Sequence, residues 1–386
     1  MAAVRRRIAA IILLGAWGAL GGCTLFAPLS GLAGSGAGDD GGGTDGPLGG
    51  DAVDSTQGDD GPPTGDARSQ DAPSSSDVQG GDASAGGFQR ALTVTAADAL
   101  SASYVVGFQL DTASLVSQGK MRSDLNDLRV FDPTGKELDR VVDTGSPSFV
   151  WFAITRVIAS NASDTYSLHY GNPSAGPAPA SGGAVFSFYD DFPGTSLGSQ
   201  WVTLGSPTVS GGKVRLHAWD ADASPNPDSM RTNPQSDNVQ AASWLEIDAT
   251  VTNPGSSPDA VNGFYYWFGF QRQGDFDPSL PWIIWIARQT NQVWAEDVDV
   301  DASLSGGALT QDTQPHVYVV ARAPSSTSFY RDGVKAYTAQ YPNAADYALM
   351  LRNWMQAGDL VVSLVRNRPL VDNEPTVTVG AEKTLP

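Results

Sequence analysis

The sequence predicts an all-β protein, two β-sandwich domains carried behind a disordered N-terminal tether. Three observations predict it. From Phe88 onward, short runs alternating apolar and polar residues recur between clusters of Gly, Pro, Asn, Asp and Ser, which is the spacing of sandwiches and barrels. Long runs with the 3.6-residue apolar period of a helix are absent. The chain before Phe88 shows neither pattern.

The N-terminus reads as an export signal. Arg5, Arg6 and Arg7 precede an apolar run over 8–20, which ends in Leu20-Gly21-Gly22-Cys23. The run is too short and too broken by Gly and Ala for a spanning helix, which needs about 20 apolar residues. An apolar residue, two small residues and a cysteine resemble the lipobox of bacterial lipoproteins. That resemblance implies a signal peptide over 1–22 and lipidation, palmitate included, at Cys23. One acyl chain binds only marginally, at ~0.8 kcal/mol per buried methylene, so several are needed for a stable anchor. Membrane lipid is then the first expected partner. Thr24 follows the cysteine, which by resemblance to Gram-negative lipoproteins places the chain at the outer membrane of the cell envelope.

Residues 23–87 form the tether. They are Gly, Asp, Ser, Pro and Ala with few large apolar side chains, and Arg68 is the only cation among many aspartates. Such a segment cannot bury enough surface to offset chain entropy and stays disordered. A coil of about 60 such residues reaches ~45 Å.

Strands are expected at 91–95, 104–110, 127–131, 149–154 and 165–170 in a first domain over 88–175. A Pro/Gly/Ala/Ser linker spans 176–183, the natural boundary between two domains. A second domain over 184–384 carries strands at 213–217, 244–252, 264–271, 282–288, 316–322, 328–331 and 360–365. The formal net charge of −19 repels phosphate backbones, so nucleic acid is excluded as a partner. Cys23 is the only cysteine, which rules out an intrachain disulfide and a cysteine-based zinc site.

The first domain contains Leu110-Asp111-Thr112, Gly119-Lys120-Met121-Arg122-Ser123-Asp124, Asp127-Leu128-Arg129-Val130, Val150-Trp151-Phe152 and Tyr170-Gly171-Asn172-Pro173. In that order they resemble an uncharacterised family of bacterial and archaeal surface modules, a domain of unknown function. Asp127 and Arg129, two apart on one strand face, suit a charge-assisted pair that pins neighbouring strands. The second domain contains Tyr189-Asp190-Asp191-Phe192 with Gln200-Trp201, then Phe329-Tyr330-Arg331-Asp332-Gly333. Leu360 to Arg368 and Glu374-Pro375-Thr376-Val377 complete the set. These are similar to the opening strand, a late turn, and the closing strand and tail of the concanavalin A-like lectin/glucanase jelly roll.

Leu245-Glu246-Ile247-Asp248-Ala249 is similar to the catalytic strand of glucanases of that fold, in which a Glu is nucleophile, an Asp tunes it and a last Glu is acid/base. Alternation sets Glu246, Asp248 and Thr250 on one face. Retaining chemistry needs two carboxyls about 5–5.5 Å apart, one of them protonated. Thr250 and Val251 stand at the acid's position, and neither donates that proton. Glu246 and Asp248 are thus an incomplete catalytic set. His169, His217 and His316 fall inside strands and outside any G-x-S-x-G elbow, as packing or edge residues.

Asp297, Asp299 and Asp301 alternate along one face. They could hold structural calcium or serve as edge charges that block aggregation. By resemblance to the family's calcium site, Asp190 and Asp191 are candidates, although Ser363 stands where the closing strand has an Asp. No other cofactor is expected. The best binding signal is aromatic. Phe264, Tyr266, Phe268 and Phe270 form one strand face and belong in the core. Tyr265, Trp267, Gly269 and Gln271 form the other, which would line a groove with Trp282, Trp285, Arg288 and Trp294 from the next strands. Aromatic faces stack on sugar C–H surfaces while amides and guanidinium groups bond hydroxyls. The expected function is therefore non-catalytic binding of a glycan or an envelope protein. A glycoside hydrolase or polysaccharide lyase, and a purely structural envelope component, are the alternatives.

Overall fold

A computed structural model of the chain describes residues 87–218, 228–233, 242–252, 264–272, 276, 282–288, 292–298, 303–339, 347–354 and 358–385. The expected export signal, Cys23 and the tether lie outside the described residues, as do Asp299 and Asp301. Among the described residues the strands form four antiparallel sheets, and the two helices are short. The all-β, two-sandwich expectation holds.

The first sandwich packs a six-stranded sheet on a three-stranded one. The larger runs Thr376–Val379, Phe88–Thr95, Ser163–Tyr170, Arg129–Phe131, Glu137–Leu138, with Lys383–Thr384 also paired to Phe88–Thr95. The smaller runs Val105–Leu110, Ser148–Ala153, Arg140–Asp143. Alternation decides the faces: Leu92 and Val94 point inward and meet Phe108, Val150, Phe152 and Leu168. Helix Thr112–Ser117 starts where Asp111 Oδ1 accepts from Ser114 N at 3.0 Å, satisfying one of the amides a helix start leaves free.

Asp127 does not pair with Arg129 as expected. It sits just before the strand, buried, and its carboxylate accepts from the backbone N–H of Arg122 (3.1 Å) and of Gly171 (2.9 Å). One carboxylate thereby joins two of the sequence motifs. Gly171 turns with φ +89, a conformation that favours glycine. Arg129 instead pairs with Glu137 at 2.5 Å.

The domain boundary also needs correction. Thr376–Val379 and Lys383–Thr384 were expected in the tail of the second domain, yet both pair with Phe88–Thr95. Val377 and Val379 pack on the first core. Glu382 fixes the segment, accepting from Lys120 Nζ at 2.6 Å, Tyr170 Oη at 2.7 Å and Arg90 Nη2 at 3.4 Å. The second sandwich is therefore an insertion, and the chain returns to complete the first. Alternation at Thr376-Val377-Thr378-Val379 marks a strand but not its partner, since pairing is a long-range property.

The second sandwich packs an eight-stranded sheet on a seven-stranded one. The former runs Thr208–Val209, Val214–Leu216, Leu360–Pro369, Ser243–Val251, His316–Arg322, Thr327–Arg331, Val334–Ala339, with Phe188–Asp190 beside Leu360–Pro369. The latter runs Ser303–Thr310, Gln292–Val298, Trp282–Arg288, Phe264–Arg272, Tyr347–Asn353, Ser229–Thr232, Trp201–Leu204. Tyr266, Phe268 and Phe270 fill the core as expected, with Trp285, Tyr318, Phe329 and Leu351. The remaining ring of that expected face, Phe264, has a side chain outside the described set.

The outer face of the three-stranded sheet meets the outer face of the eight-stranded one. Trp151 lies under the guanidinium groups of Arg366 (5.2 Å) and Arg368 (5.6 Å), beside Phe186 and Val105. Gly107 permits this, because a Cβ there would stand 2.1 Å from the Phe149 ring and 2.8 Å from that of Trp151. Four sheets are thus layered in series.

Candidate functional site

Strand register turns the outer face of the seven-stranded sheet into a grid. One row reads Ser229, Arg352, Trp267, Ile286, Trp294 across five strands. The next reads Arg231, Met350, Gly269, Ile284, Glu296, and the third Ala348, Gln271, Trp282, Val298. Their sequence neighbours point into the core, as the period of two requires.

Trp267, Ile284, Ile286 and Met350 form the floor, buried, with half-buried Phe276, Trp282, Trp294 and Trp354 packed on it. Trp354 stands edge-on to Trp267 with ring centroids 5.4 Å apart. The Arg352 guanidinium lies 4.8 Å from the Trp267 ring and 4.5 Å from the Trp354 ring, and donates to the Phe276 carbonyl. Arg231 lies over the Phe276 ring at 5.2 Å. Gly269 interrupts the aromatic strand for a reason: its φ is +146, and a Cβ would meet the Ile283 carbonyl at 2.5 Å. This face can present aromatic surface together with fixed polar groups, the chemistry that grips sugar rings.

The expected binding residues divide on this geometry. Trp267, Gln271 and Trp294 lie on the outer face, Trp267 as floor at 3 % exposure rather than as an open platform. Trp285 does not line it. That residue points into the core at 0 % exposure, and its Nε1 donates to the Val319 carbonyl of the facing sheet at 3.0 Å. The side chains of Tyr265 and Arg288 lie outside the described set. Sequence reasoning missed Met350, Arg352 and Trp354. Met350 and Arg352 lie on Tyr347–Asn353 and Trp354 directly follows it; that strand is buried along its whole length, so its first five residues read as an apolar run without the alternation that announces a two-faced strand.

Glu246 and Asp248 lie on the other sheet and on its outer face, turned to the first sandwich. Glu246 is 3 % exposed and accepts from Arg366 Nη2 at 2.6 Å. Arg366 also donates twice to Asp143 of the first sandwich, at 2.9 and 2.8 Å. Burial disfavours its charge, but the carboxylates of Glu246 and Asp143 outweigh that and hold its pKa above the ordinary arginine value. Arg368 beside it donates to Glu374 at 2.8 Å, whose other oxygen accepts from Tyr104 Oη at 3.0 Å. The motif resembling a catalytic strand thus holds two sandwiches together.

Asp190 does not stand ready for a metal. Its oxygens accept from Phe192 N (2.7 Å), Gln200 Nε2 (3.0 Å) and Trp201 Nε1 (2.6 Å), so it pins the opening strand. Asp191 is exposed beside Tyr189. Asp297 is buried, and its charge is felt by Arg322, whose pKa burial lowers. Among the described residues no group of three or more His, Cys, Asp or Glu is arranged to hold a metal ion. The histidines pack or tie strand ends. His169 lies 4.5 Å from the Phe131 ring, and His217 bonds Asp228 at 2.8 Å. His316 bonds Asp332 at 2.7 Å.

Residues 124–204 match a family model described as a domain of unknown function, DUF2341. No curated protein matches the chain. Among solved structures the chain is similar to the endo-β-1,3-glucanase of Pyrococcus furiosus, at 12% identity and TM-score 0.36 over 50% of this chain and 95% of that one. It is similar to the laminarinase of Rhodothermus marinus, at 12% identity and TM-score 0.37 over 48% and 96%. It is also similar to the Bacillus licheniformis β-glucanase, at 15% identity and TM-score 0.35 over 47% and 98%. At such identities and scores the likeness assigns no activity to this chain.

Proposed function

We propose that this chain is a lipid-anchored cell-envelope protein that binds glycan on the outer face of its seven-stranded sheet, without cleaving it. The aromatic cluster of Trp267, Trp282, Trp294 and Trp354 on that face carries the reading. A sheet face turned away from the core ordinarily alternates to polar residues. Grouping tryptophans there has a use if they meet the apolar faces of sugar rings. The layering adds support: Phe88, where the tether enters, lies in the six-stranded sheet, and the aromatic face lies on the fourth layer from it. Glu246 and Asp248 face the first sandwich, so hydrolysis would need carboxylates other than that pair.

Calorimetric titration with a polysaccharide panel tests binding. Trp294→Ala should weaken affinity about tenfold or more, ~1.4 kcal/mol, by removing one stacking platform. Unchanged affinity would move the site elsewhere. The anchor has its own check: cells fed an alkyne-labelled palmitate should label the chain, and Cys23→Ser should abolish the label.

A further inference from the structure

We propose that the junction between the two sandwiches is a pH-responsive joint, in which Asp248 holds a proton while the sandwiches are docked and gives it up when they part. This concerns how the tether-side sandwich carries the other, and it stands whether or not the aromatic face binds glycan.

The observation is an excess of carboxylates around one buried cation. Glu246 and Asp248 project from the same face of Ser243–Val251, away from the core residues Leu245, Ile247 and Ala249. Arg366 stands opposite Glu246 on the neighbouring strand. Its described hydrogen bonds go to Glu246 and to Asp143, which reaches over from the first sandwich. Asp248 Oδ1 is buried and receives no hydrogen bond from the described residues.

The charged groups that face Asp248 are Glu246 on its own strand, Arg366 on the next, Asp143 across the junction and Asp332 in the turn after Thr327–Arg331. Asp332 is itself bonded to His316. Among the described residues, three negative groups therefore meet Asp248 against one positive group. Burial first, and Glu246 second, push its carboxyl up to about 7.

Parting the sandwiches would return Asp248 to water and remove Asp143, lowering its carboxyl toward the ordinary ~3.9 while Glu246 stays beside it on the same strand. Between the two values the docked form keeps a proton that the parted form has lost. Docking therefore weakens as the pH rises through that window, by up to about tenfold per pH unit, and is level above it.

Hydrogen exchange on the full chain, corrected for intrinsic rates, reads the joint directly. Amides of Arg140–Asp143, Ser148–Ala153 and Phe188–Asp190 report the junction, and Trp282–Arg288 reports the distant core. From about pH 5.5 to about pH 8, junction protection should fall about tenfold or more while the core strand holds. Asp248→Asn, neutral at every pH, should keep the junction protected throughout. Junction protection that ignores pH in the wild type would overturn the proposal, and so would the same loss of protection in Asp248→Asn. Should that variant lose core protection as well, the carboxyl carbon shift of Asp248 in the wild type decides: a midpoint near neutrality supports the joint and an ordinary carboxylate midpoint refutes it.

Discussion

Arg366 binds carboxylates from both sandwiches, and its removal would leave Glu246 and Asp143 charged without their cation. Breaking a buried pair by deleting one partner costs about 3–5 kcal/mol. Arg366→Leu should lower unfolding stability by that order in urea titration. A change under ~1 kcal/mol would mean that the cluster is solvated. Glu382 makes an opposite kind of prediction. Its hydrogen bonds from Lys120 and then Tyr170 depress its pKa to about 2. A depressed carboxylate contributes stability that is fully present above its unfolded value and lost as pH falls through the folded one. The melting temperature should therefore fall as the pH drops from about 4.5 toward 2, and Glu382→Gln should flatten that part of the profile. At this scale the sequence was legible in kind but not in direction. Alternation correctly set Glu246 and Asp248 on one face, but it does not say whether that face looks into a groove or onto another domain. Trp285 was misplaced for a related reason: Ile283 and Trp285 on one face and Ile284 and Ile286 on the other are all buried, so hydrophobicity does not distinguish them.

The C-terminal strands belong to the module at the opposite end of the sequence. Ending the chain after Pro375 would uncover the Phe88–Thr95 edge and expose Val377 and Val379 contacts with the first core. Val377 and Val379 are half-buried, so the first sandwich should lose roughly 1.5–3 kcal/mol on those two side chains alone. The expected signature is an early transition in thermal unfolding, absent from the full chain; a single unshifted transition would show the strands to be dispensable. Strands with clear alternation, such as Phe88–Thr95 and Ser163–Tyr170, were readable from sequence because each has one dry and one wet face. Tyr347–Asn353 was not, because both of its faces are covered. The partner of Thr376–Val379 was not readable either, since nothing local to a strand records which distant edge it will join.

Across the whole molecule, four sheets in series leave the aromatic face of the seven-stranded sheet on the layer farthest from Phe88. The half-buried tryptophans there and the position of Glu246 and Asp248 at the junction are what the proposal of binding without cleavage rests on. The composition gave no hint of which layer would be which, because layer order follows from the insertion of one sandwich into the other. Titration of the full chain against neutral and acidic polysaccharides, with reducing-end release followed in the same samples, tests this account most directly. Binding should occur in the wild type and in Glu246→Gln, weaken about tenfold in Trp294→Ala and in Trp354→Ala, and proceed with no new reducing ends. Reducing ends released by the wild type and lost in a folded Glu246→Gln would contradict it, as would binding indifferent to both tryptophans.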